Sequence, residues 1–123
     1  MIRERQVVLF RFPQTNQTAG KLRPALVIRK GPGPHDDWLI CMISSQLSQE
    51  VPDFDEIVSE KDDDFESSGL KLTSLIRIGR LAVADQNILL GAIGEIGSVR
   101  LERIKKNLSV WLIGRYQSTS PDR

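Results

Sequence analysis

The sequence predicts a mainly β domain, a small barrel of five or six short strands followed by one packed helix. Short segments rich in β-forming residues alternate with turn and loop signals over most of the chain, and the C-terminal part has apolar residues at helical spacing. A length of 123 residues, 40% of them hydrophobic, suits one domain with a modest core. We expect that domain to span residues 1–116 and a flexible tail to span residues 117–123.

The first three strands are predicted at residues 7–12, 23–28 and 38–43. A polar loop at residues 13–20 separates the first two, and a turn of alternating glycine and proline at residues 31–34 precedes the third. The third segment is apolar almost throughout, which predicts a central strand that is buried on both faces.

The second half of the chain has strand candidates at residues 54–58 and 72–81. Residues 60–68 between them are strongly acidic, which predicts a solvated loop. Residues 88–96 are ambiguous, but their two glycines favour a strand with a bend over a helix.

The C-terminal helix is the clearest element, with Ser98 as its N-cap and Gly114 as its stop. Its apolar residues form one stripe at three- and four-residue spacing: Leu101, Ile104, Leu108, Trp111 and Leu112. The polar residues of the opposite face are Arg100, Arg103, Lys106 and Asn107.

The net charge of +1 predicts no partner, but the charge is unevenly distributed. Residues 1–34 carry seven Lys and Arg against one acid, residues 35–67 carry eleven acids against one Lys, and residues 68–123 carry nine Lys and Arg against four acids. If the two basic stretches fold onto one face, they form a site for a polyanion. The alternative is that these charges only solvate separate faces.

The cysteine and histidine content excludes several kinds of chemistry. Cys41 is the sole cysteine, so no internal disulfide forms, and together with one histidine it cannot build a Cys/His zinc site. A nucleophilic pair of Cys41 and His35 is disfavoured, because Cys41 lies within an apolar strand. We expect no cofactor and no metal. The N-terminus lacks a signal-peptide pattern and no apolar run reaches the roughly 20 residues that span a bilayer, so we expect a cytoplasmic protein without membrane contact.

Arginine and hydroxyl side chains remain as the candidates for chemistry. Arg23 opens the second predicted strand, and Ser44 and Ser45 end the third. If these strands pair as neighbours, the start of one lies near the end of the other. Arg77 lies inside an apolar strand, where it requires an acidic partner, an anionic ligand or a solvent-facing position.

Such a set suits the cleavage of RNA by its own 2′-hydroxyl group. That reaction needs a proton acceptor for the 2′-hydroxyl, a proton donor for the leaving 5′-oxygen and positive groups that stabilise the charge developing on phosphate. A guanidinium matches phosphate oxygens geometrically, and a hydroxyl adds a hydrogen bond. The alternative is structural: Arg23 and Arg77 pair with loop acids, and Ser44 merely ends a strand.

Five segments in order resemble the MazF/PemK family of toxins over roughly residues 5–113. The most characteristic is KLRPALVI at residues 21–28, which resembles a strand entered through a polar loop. The other four are VVLFRFP at residues 7–13, CMISS at 41–45, GLK with SLIR at 69–77, and LGAIG at 90–94, followed by the helix from Ser98.

The resemblance implies an SH3-like barrel of five to seven mostly antiparallel strands with a C-terminal helix, usually as a homodimer. It implies a metal-independent endoribonuclease that cleaves single-stranded RNA, often messenger RNA, to 2′,3′-cyclic phosphate and 5′-hydroxyl ends. The implied partner is an antitoxin whose disordered tail covers the RNA groove. The family's catalytic arginine, threonine and second arginine fall on Arg23, Ser44 and Arg77. Residues near them are predicted to bind RNA: Lys21, Ser45, Gln46, Thr15, Asn16 and Arg80.

The sequence departs from the family pattern in three respects. Arg5 and Gln6 replace a usual Gly-Asp pair, Ser44 replaces the commoner threonine, and Gly79 stands where many relatives have an acid. The loss of the acid leaves proton transfer to Arg23, to water or to another acid.

Two alternatives to the endoribonuclease follow from the same resemblance. One is a relative that binds RNA without cleaving it, which Gly79 and Gln6 favour. The other is a gyrase-binding toxin of the same fold, which would require a tryptophan close to the C-terminus, whereas Trp111 is expected in the core. Trp38 and Phe10 can stack on bases, although their strand positions favour the core.

Overall fold

The computed structural model describes residues 1–11 and 20–115. Its strands are β1 (Gln6–Arg11), β2 (Leu22–Lys30), β3 (Asp37–Ser44), β4 (Glu56–Val58), β5 (Ser74–Asp85) and β6 (Ala92–Glu95). Its α-helices are α1 (Phe65–Ser68) and α2 (Ser98–Leu112), and two single-turn 3₁₀ helices lie at Leu47–Gln49 and Gln86–Ile88. The predicted tail at residues 117–123 and most of the predicted loop at residues 13–20 lie outside the described residues.

The strands form one curled antiparallel sheet in the order β4-β5-β3-β2-β1-β6. The six strands and the C-terminal helix confirm the predicted fold class. Strand β3 has three strands on one side and two on the other, and most of its side chains are buried, so the prediction of a central strand is confirmed. The ambiguous region at residues 88–96 contains β6, as its glycines predicted.

Alternating side chains of the sheet build two apolar clusters. Val7 belongs to the helix-side cluster, which α2 covers with Leu101, Ile104 and Leu108. Val8 belongs to the opposite cluster, which also contains Phe10 and Trp38. Phe10 and Trp38 are 7% and 8% exposed, so both are core residues, as their strand positions favoured.

Two predictions about the helix were wrong. Ser98 is the first helical residue, and Gly97 precedes it as an N-cap without a side-chain hydrogen bond. Trp111 and Leu112 are 42% and 66% exposed, and the Trp111 ring packs in a T-shaped arrangement with the Phe54 ring, with centroids 5.8 Å apart.

Helix α2 ends as predicted near Gly114, which adopts a left-handed φ of 78°. The N–H groups of Gly114 and Arg115 donate to the carbonyl oxygens of Trp111 and Val110, at 3.0 and 2.9 Å. This pair of hydrogen bonds is a Schellman motif, which glycine permits at the left-handed position.

The acidic segment was also misjudged as a solvated loop. Residues 60–68 include helix α1 and the buried Ser68, and the Asp64 side chain is only 12% exposed. Two of their five acids, Asp62 and Asp64, pair with Arg100, which is buried at 8% exposure instead of lying on the solvent face of α2. A buried cation therefore explains why so acidic a segment folds against the domain.

Candidate active site

The sheet register brings the two foremost candidates together. Ala25 on β2 pairs with Met42 on β3, and extending this antiparallel register by two residues along each strand brings Arg23 towards Ser44, with which it lines one pocket. Because Arg23 and Ala25 are two residues apart, as are Met42 and Ser44, all four lie on the same face of the sheet. The prediction that the start of β2 and the end of β3 meet at one edge is confirmed.

Ser44 is held in a defined orientation. It is 8% exposed, and its Oγ accepts a hydrogen bond from the backbone N–H of Gln46 at 3.0 Å. No acceptor for the hydroxyl hydrogen lies within the described part of the chain. The Ser44 hydroxyl is therefore available to donate one hydrogen bond to a ligand.

Arg23 is exposed and makes no ion pair or side-chain hydrogen bond with any residue in the ranges 1–11 and 20–115. The structural alternative, in which Arg23 pairs with a loop acid, does not hold for these residues. An unpaired guanidinium beside an available hydroxyl is suited to binding an anion.

Arg23 and Ser44 line one pocket of about 330 Å³. Its wall comes from the start of β2, the end of β3, the segment before β5 and the edge strand β6. The polar side chains of the lining are Arg23, Lys71, Ser44, Ser45 and Ser74, and none of the described lining residues is an acid. The pocket thus combines two cations and three hydroxyls with an apolar floor, and it suits a ligand that is partly anionic and partly apolar.

Arg77 lies outside this pocket. It pairs in register with Met42, two residues before Ser44 on β3. Its Nη1 donates to the Gln49 side-chain oxygen at 2.9 Å. Arg77 therefore has a side-chain amide, and not a carboxylate, as its hydrogen-bond partner among the described residues.

The predicted RNA-binding residues divide into three groups. Ser45 lines the pocket, and Gln46 adjoins it through its bond to Ser44. Lys21, which directly precedes β2, and Arg80, on β5, are both exposed and do not line the pocket. Thr15 and Asn16 lie outside the described residues.

Gly79 is exposed on β5, and a Cβ added there would meet only the Phe54 ring at 3.7 Å. An acidic side chain would therefore fit, and nothing in the packing requires glycine. Glycine has no side chain that could accept a proton, and none of the described residues that line the pocket carries a carboxylate.

Cys41 and His35 do not form a catalytic pair. Cys41 is fully buried, and burial followed by the charge of Asp55 raises the pKa of its thiol well above the ordinary range. His35 is exposed in the turn between β2 and β3. Within the described residues, no group of three or more His, Cys, Asp or Glu side chains is placed to hold a metal ion.

The sequence did not reveal the positions of two basic residues, one in the site and one outside it. Lys71 lies within the GLK segment but was not predicted as a site residue, yet it lines the pocket. Arg100 was placed on the polar face of α2, although it precedes the buried Ile104 and Leu108 by four and eight residues and so shares their stripe. That spacing was the signal for its burial.

The fold and the site together describe a small curled β domain with a pocket that two cationic side chains, Arg23 and Lys71, help to line. The sequence matches the family of PemK-like, MazF-like toxins of type II toxin–antitoxin systems over residues 3–112, and the chain belongs to that family.

Among solved structures, the chain resembles an endoribonuclease in complex with its cognate antitoxin from a mycobacterial species. The TM-score is 0.65 at 13% identity, and the alignment covers 95% of this chain and 100% of the other. At that identity the likeness concerns the fold. No curated protein sequence matches the chain. Within the described residues, no helix is long and apolar enough to cross a membrane.

Proposed function

We propose that this chain is an endoribonuclease toxin that cleaves single-stranded RNA, chiefly messenger RNA, without a metal ion. The observation that carries the proposal is the pocket in which Arg23, which has no ion-pair partner among residues 1–11 and 20–115, and the Ser44 hydroxyl stand together, without a carboxylate among the described lining residues. Membership of the toxin family, and a fold shared with an endoribonuclease, support the same function.

In the proposed reaction the 2′-oxygen attacks the adjacent phosphorus, and the bond from phosphorus to the 5′-oxygen breaks. The 2′-hydroxyl proton passes to water, and the leaving 5′-oxygen takes a proton from water. The products are a 2′,3′-cyclic phosphate and a 5′-hydroxyl. We assign both proton transfers to water because the described pocket lining holds no carboxylate or imidazole.

Arg23 and Ser44 act on the charge that develops on phosphate. The Arg23 guanidinium donates to the non-bridging oxygens, whose negative charge rises as the 2′-oxygen adds. The Ser44 hydroxyl, oriented by the Gln46 N–H, donates one more hydrogen bond. Such oriented donors lower the barrier because they need no rearrangement during the reaction.

Selective contacts to the RNA on either side of the cut are assigned to Arg77, which pairs with Met42 on β3, and to the residues predicted from the sequence to bind RNA. The latter are Lys21, Ser45, Gln46, Thr15, Asn16 and Arg80.

The proposed partners are a second copy of the chain and a cognate antitoxin, and the proposed compartment is the cytoplasm. The exposed, unpaired Arg23 and Lys71 are complementary to an acidic antitoxin segment as well as to RNA. An antitoxin segment that binds there would compete directly with the substrate.

A second candidate function is RNA binding without cleavage. The absence of any acid from the described pocket lining, with Gly79 at the position of the family's acid, favours it. Under this alternative the pocket would hold phosphate, but no bond would break.

The test is to incubate the purified protein with a long single-stranded RNA in the presence of EDTA and to map the new ends. We expect discrete cuts with 5′-hydroxyl ends, and none in the same RNA with 2′-deoxy residues at the cut sites. RNA that is bound but remains intact at enzyme excess would establish the second candidate, and RNA that is neither bound nor cut would contradict both.

A further inference from the structure

Lys71 stands in the same pocket as Arg23 and Ser44 but comes from a different part of the chain. It is exposed, and within residues 1–11 and 20–115 its ammonium group has no carboxylate partner. It belongs to the connection between β4 and β5, residues 59–73, whereas Arg23 belongs to β2. The pocket therefore has, from each of two separate segments, one cation without a carboxylate partner among the described residues.

The backbone around Lys71 is held in place by β6. Gly69 has a left-handed φ of 75°, and a Cβ there would overlap the carbonyl group of Ile93. A Cβ on Gly94 would likewise overlap the backbone of Ser67 and Ser68. The Ser67 hydroxyl donates to the Glu95 carbonyl oxygen at 3.0 Å. The two glycines thus allow direct backbone contact between the connection and the edge strand.

Helix α2 fixes the earlier part of the same connection through Arg100. Its guanidinium donates five hydrogen bonds of 2.8–2.9 Å, to the carboxylates of Glu56, Asp62 and Asp64 and to the Ile57 carbonyl. All five N–H donors of an arginine are therefore used. Asp64 also accepts the Gly97 N–H at 2.9 Å, which ties the connection to the start of α2.

A lysine on a fixed backbone, facing a pocket that has a second free cation and hydroxyl donors, is placed to bind phosphate. Because the backbone around Lys71 is already ordered, binding would cost only the ordering of its own side chain. A lysine that served only for solubility would need neither the pocket nor this anchoring.

We infer that Lys71 is a phosphate-binding residue of this pocket, which contacts the phosphodiester backbone of single-stranded RNA. This inference rests on the proposed function and adds to it a residue that binds the substrate. Lysine suits this role as a point charge that needs no fixed geometry, while Arg23 supplies the directed fork.

The test compares Lys71→Ala with Lys61→Ala, which removes the same charge from an exposed lysine on the same connection but outside the pocket. The probe is a fluorescein-labelled single-stranded RNA of mixed sequence with 2′-fluoro groups, which cannot be cleaved. Its affinity is measured by fluorescence anisotropy over a series of salt concentrations. A lysine that neutralises one phosphate contributes a slope of about −0.7 to the dependence of log K on log salt for a single strand.

We expect Lys71→Ala to bind several-fold more weakly and to lose about 0.7 of that slope, Lys71→Arg to retain it, and Lys61→Ala to match the unaltered chain. If the unaltered chain binds RNA but Lys71→Ala and Lys61→Ala do not differ, the assignment of Lys71 is wrong and the proposed function stands. If the unaltered chain itself binds no RNA, the proposed function fails, and the role of Lys71 fails with it.

Discussion

Arg5 departs from the family pattern, and its backbone conformation indicates that this departure lowers the stability of the fold. It stands where relatives usually have glycine, and its φ is 78°, in the left-handed region. Its N–H donates to the Val27 carbonyl and its carbonyl accepts from the Ile96 N–H, at 3.0 and 2.9 Å, which holds it in that conformation. The sequence identified the substitution, but the positive φ depends on strands that close around Arg5 only in the fold.

Arg5→Gly is expected to stabilise the protein by about 1 kcal/mol, since a left-handed residue with a Cβ costs roughly 1–2 kcal/mol. The lost ion pair with Glu95 at 3.1 Å offsets little of this gain, because both side chains are partly exposed. Urea unfolding measures the change. Arg3→Gly, at a residue without a positive φ, serves as the control and should not stabilise; a loss of stability in Arg5→Gly would contradict the argument.

Ser44 is a second residue at which a catalytic role can be distinguished from a structural one by substitution. The Gln46 N–H occupies one lone pair of the Ser44 Oγ, and the hydroxyl hydrogen remains available. A serine that only ended a strand would tolerate alanine without loss of activity.

We expect Ser44→Ala to lower kcat by about 10²-fold, the usual effect of removing one donor to a developing oxyanion. Ser44→Thr retains the hydroxyl and should keep most of the activity. Single-turnover cleavage rates, with folding checked by circular dichroism, provide the measurement. Equal rates for Ser44→Ala and the unaltered chain would show that Ser44 is only structural.

At the scale of elements, the strands could be predicted more fully than the connections. The apolar run of β3 and the glycines before and within β6 are local signals, and both predictions were confirmed. The folding of residues 60–68 depends on Arg100, which lies 36 residues after Asp64 in the chain. Composition favours a solvated loop when such a distant cation is not considered.

The contact between α2 and this connection should make stability depend on pH in a defined direction. The hydrogen bond from Arg100 lowers the pKa of Asp64, against the effect of burial and together with the Gly97 N–H. Burial alone would lower the pKa of Arg100, but Asp64, Asp62 and Glu56 raise it, so the guanidinium stays charged. Asp64 therefore stabilises the fold above the unfolded aspartate pKa of about 3.9, and this contribution is lost as the pH falls through its lower folded value.

Arg100→Met is expected to cost about 3–5 kcal/mol at neutral pH, because it leaves buried carboxylates without their cation. Its pH dependence should reverse: Asp64, no longer held at a low pKa, is relieved by protonation, so acidification restores part of the lost stability. Urea unfolding at a series of pH values checks both statements. A variant that loses stability on acidification as the unaltered chain does would show that Arg100 does not hold Asp64.

At the scale of the whole molecule, the net charge of +1 does not show that charged residues in different parts of the chain have different roles. Three of the eleven acids of the acidic stretch, Glu56, Asp62 and Asp64, form ion pairs with Arg100 or Arg103. Each of the two basic stretches contributes one cation to the pocket lining, Arg23 and Lys71. The sequence could not show which charges form ion pairs within the fold, and the polyanion site stays a prediction.

The candidate site was predictable to the extent that neighbouring strands define it. Arg23 and Ser44 were placed together by strand order and antiparallel pairing, and the register confirms their proximity. Arg77 was grouped with them, but its pairing with Met42 sets it one row away, outside the pocket. The order of neighbouring strands can be predicted from the sequence. The residue of β3 that Arg77 faces depends on the bulge between Cys41 and Met42, which the sequence does not reveal.

The most direct test of the central claim compares cleavage by Arg23→Ala and Arg29→Ala. Both variants remove an exposed arginine from β2, but Arg29 lies away from the pocket and only near Glu4, at 3.7 Å. Single-turnover rates are measured on one RNA with EDTA present. We expect Arg23→Ala to lose about 10²-fold or more, and Arg29→Ala to cleave as the unaltered chain does. Equal rates for the two variants, with discrete cutting retained, would show that the pocket of Arg23 and Ser44 is not the active site.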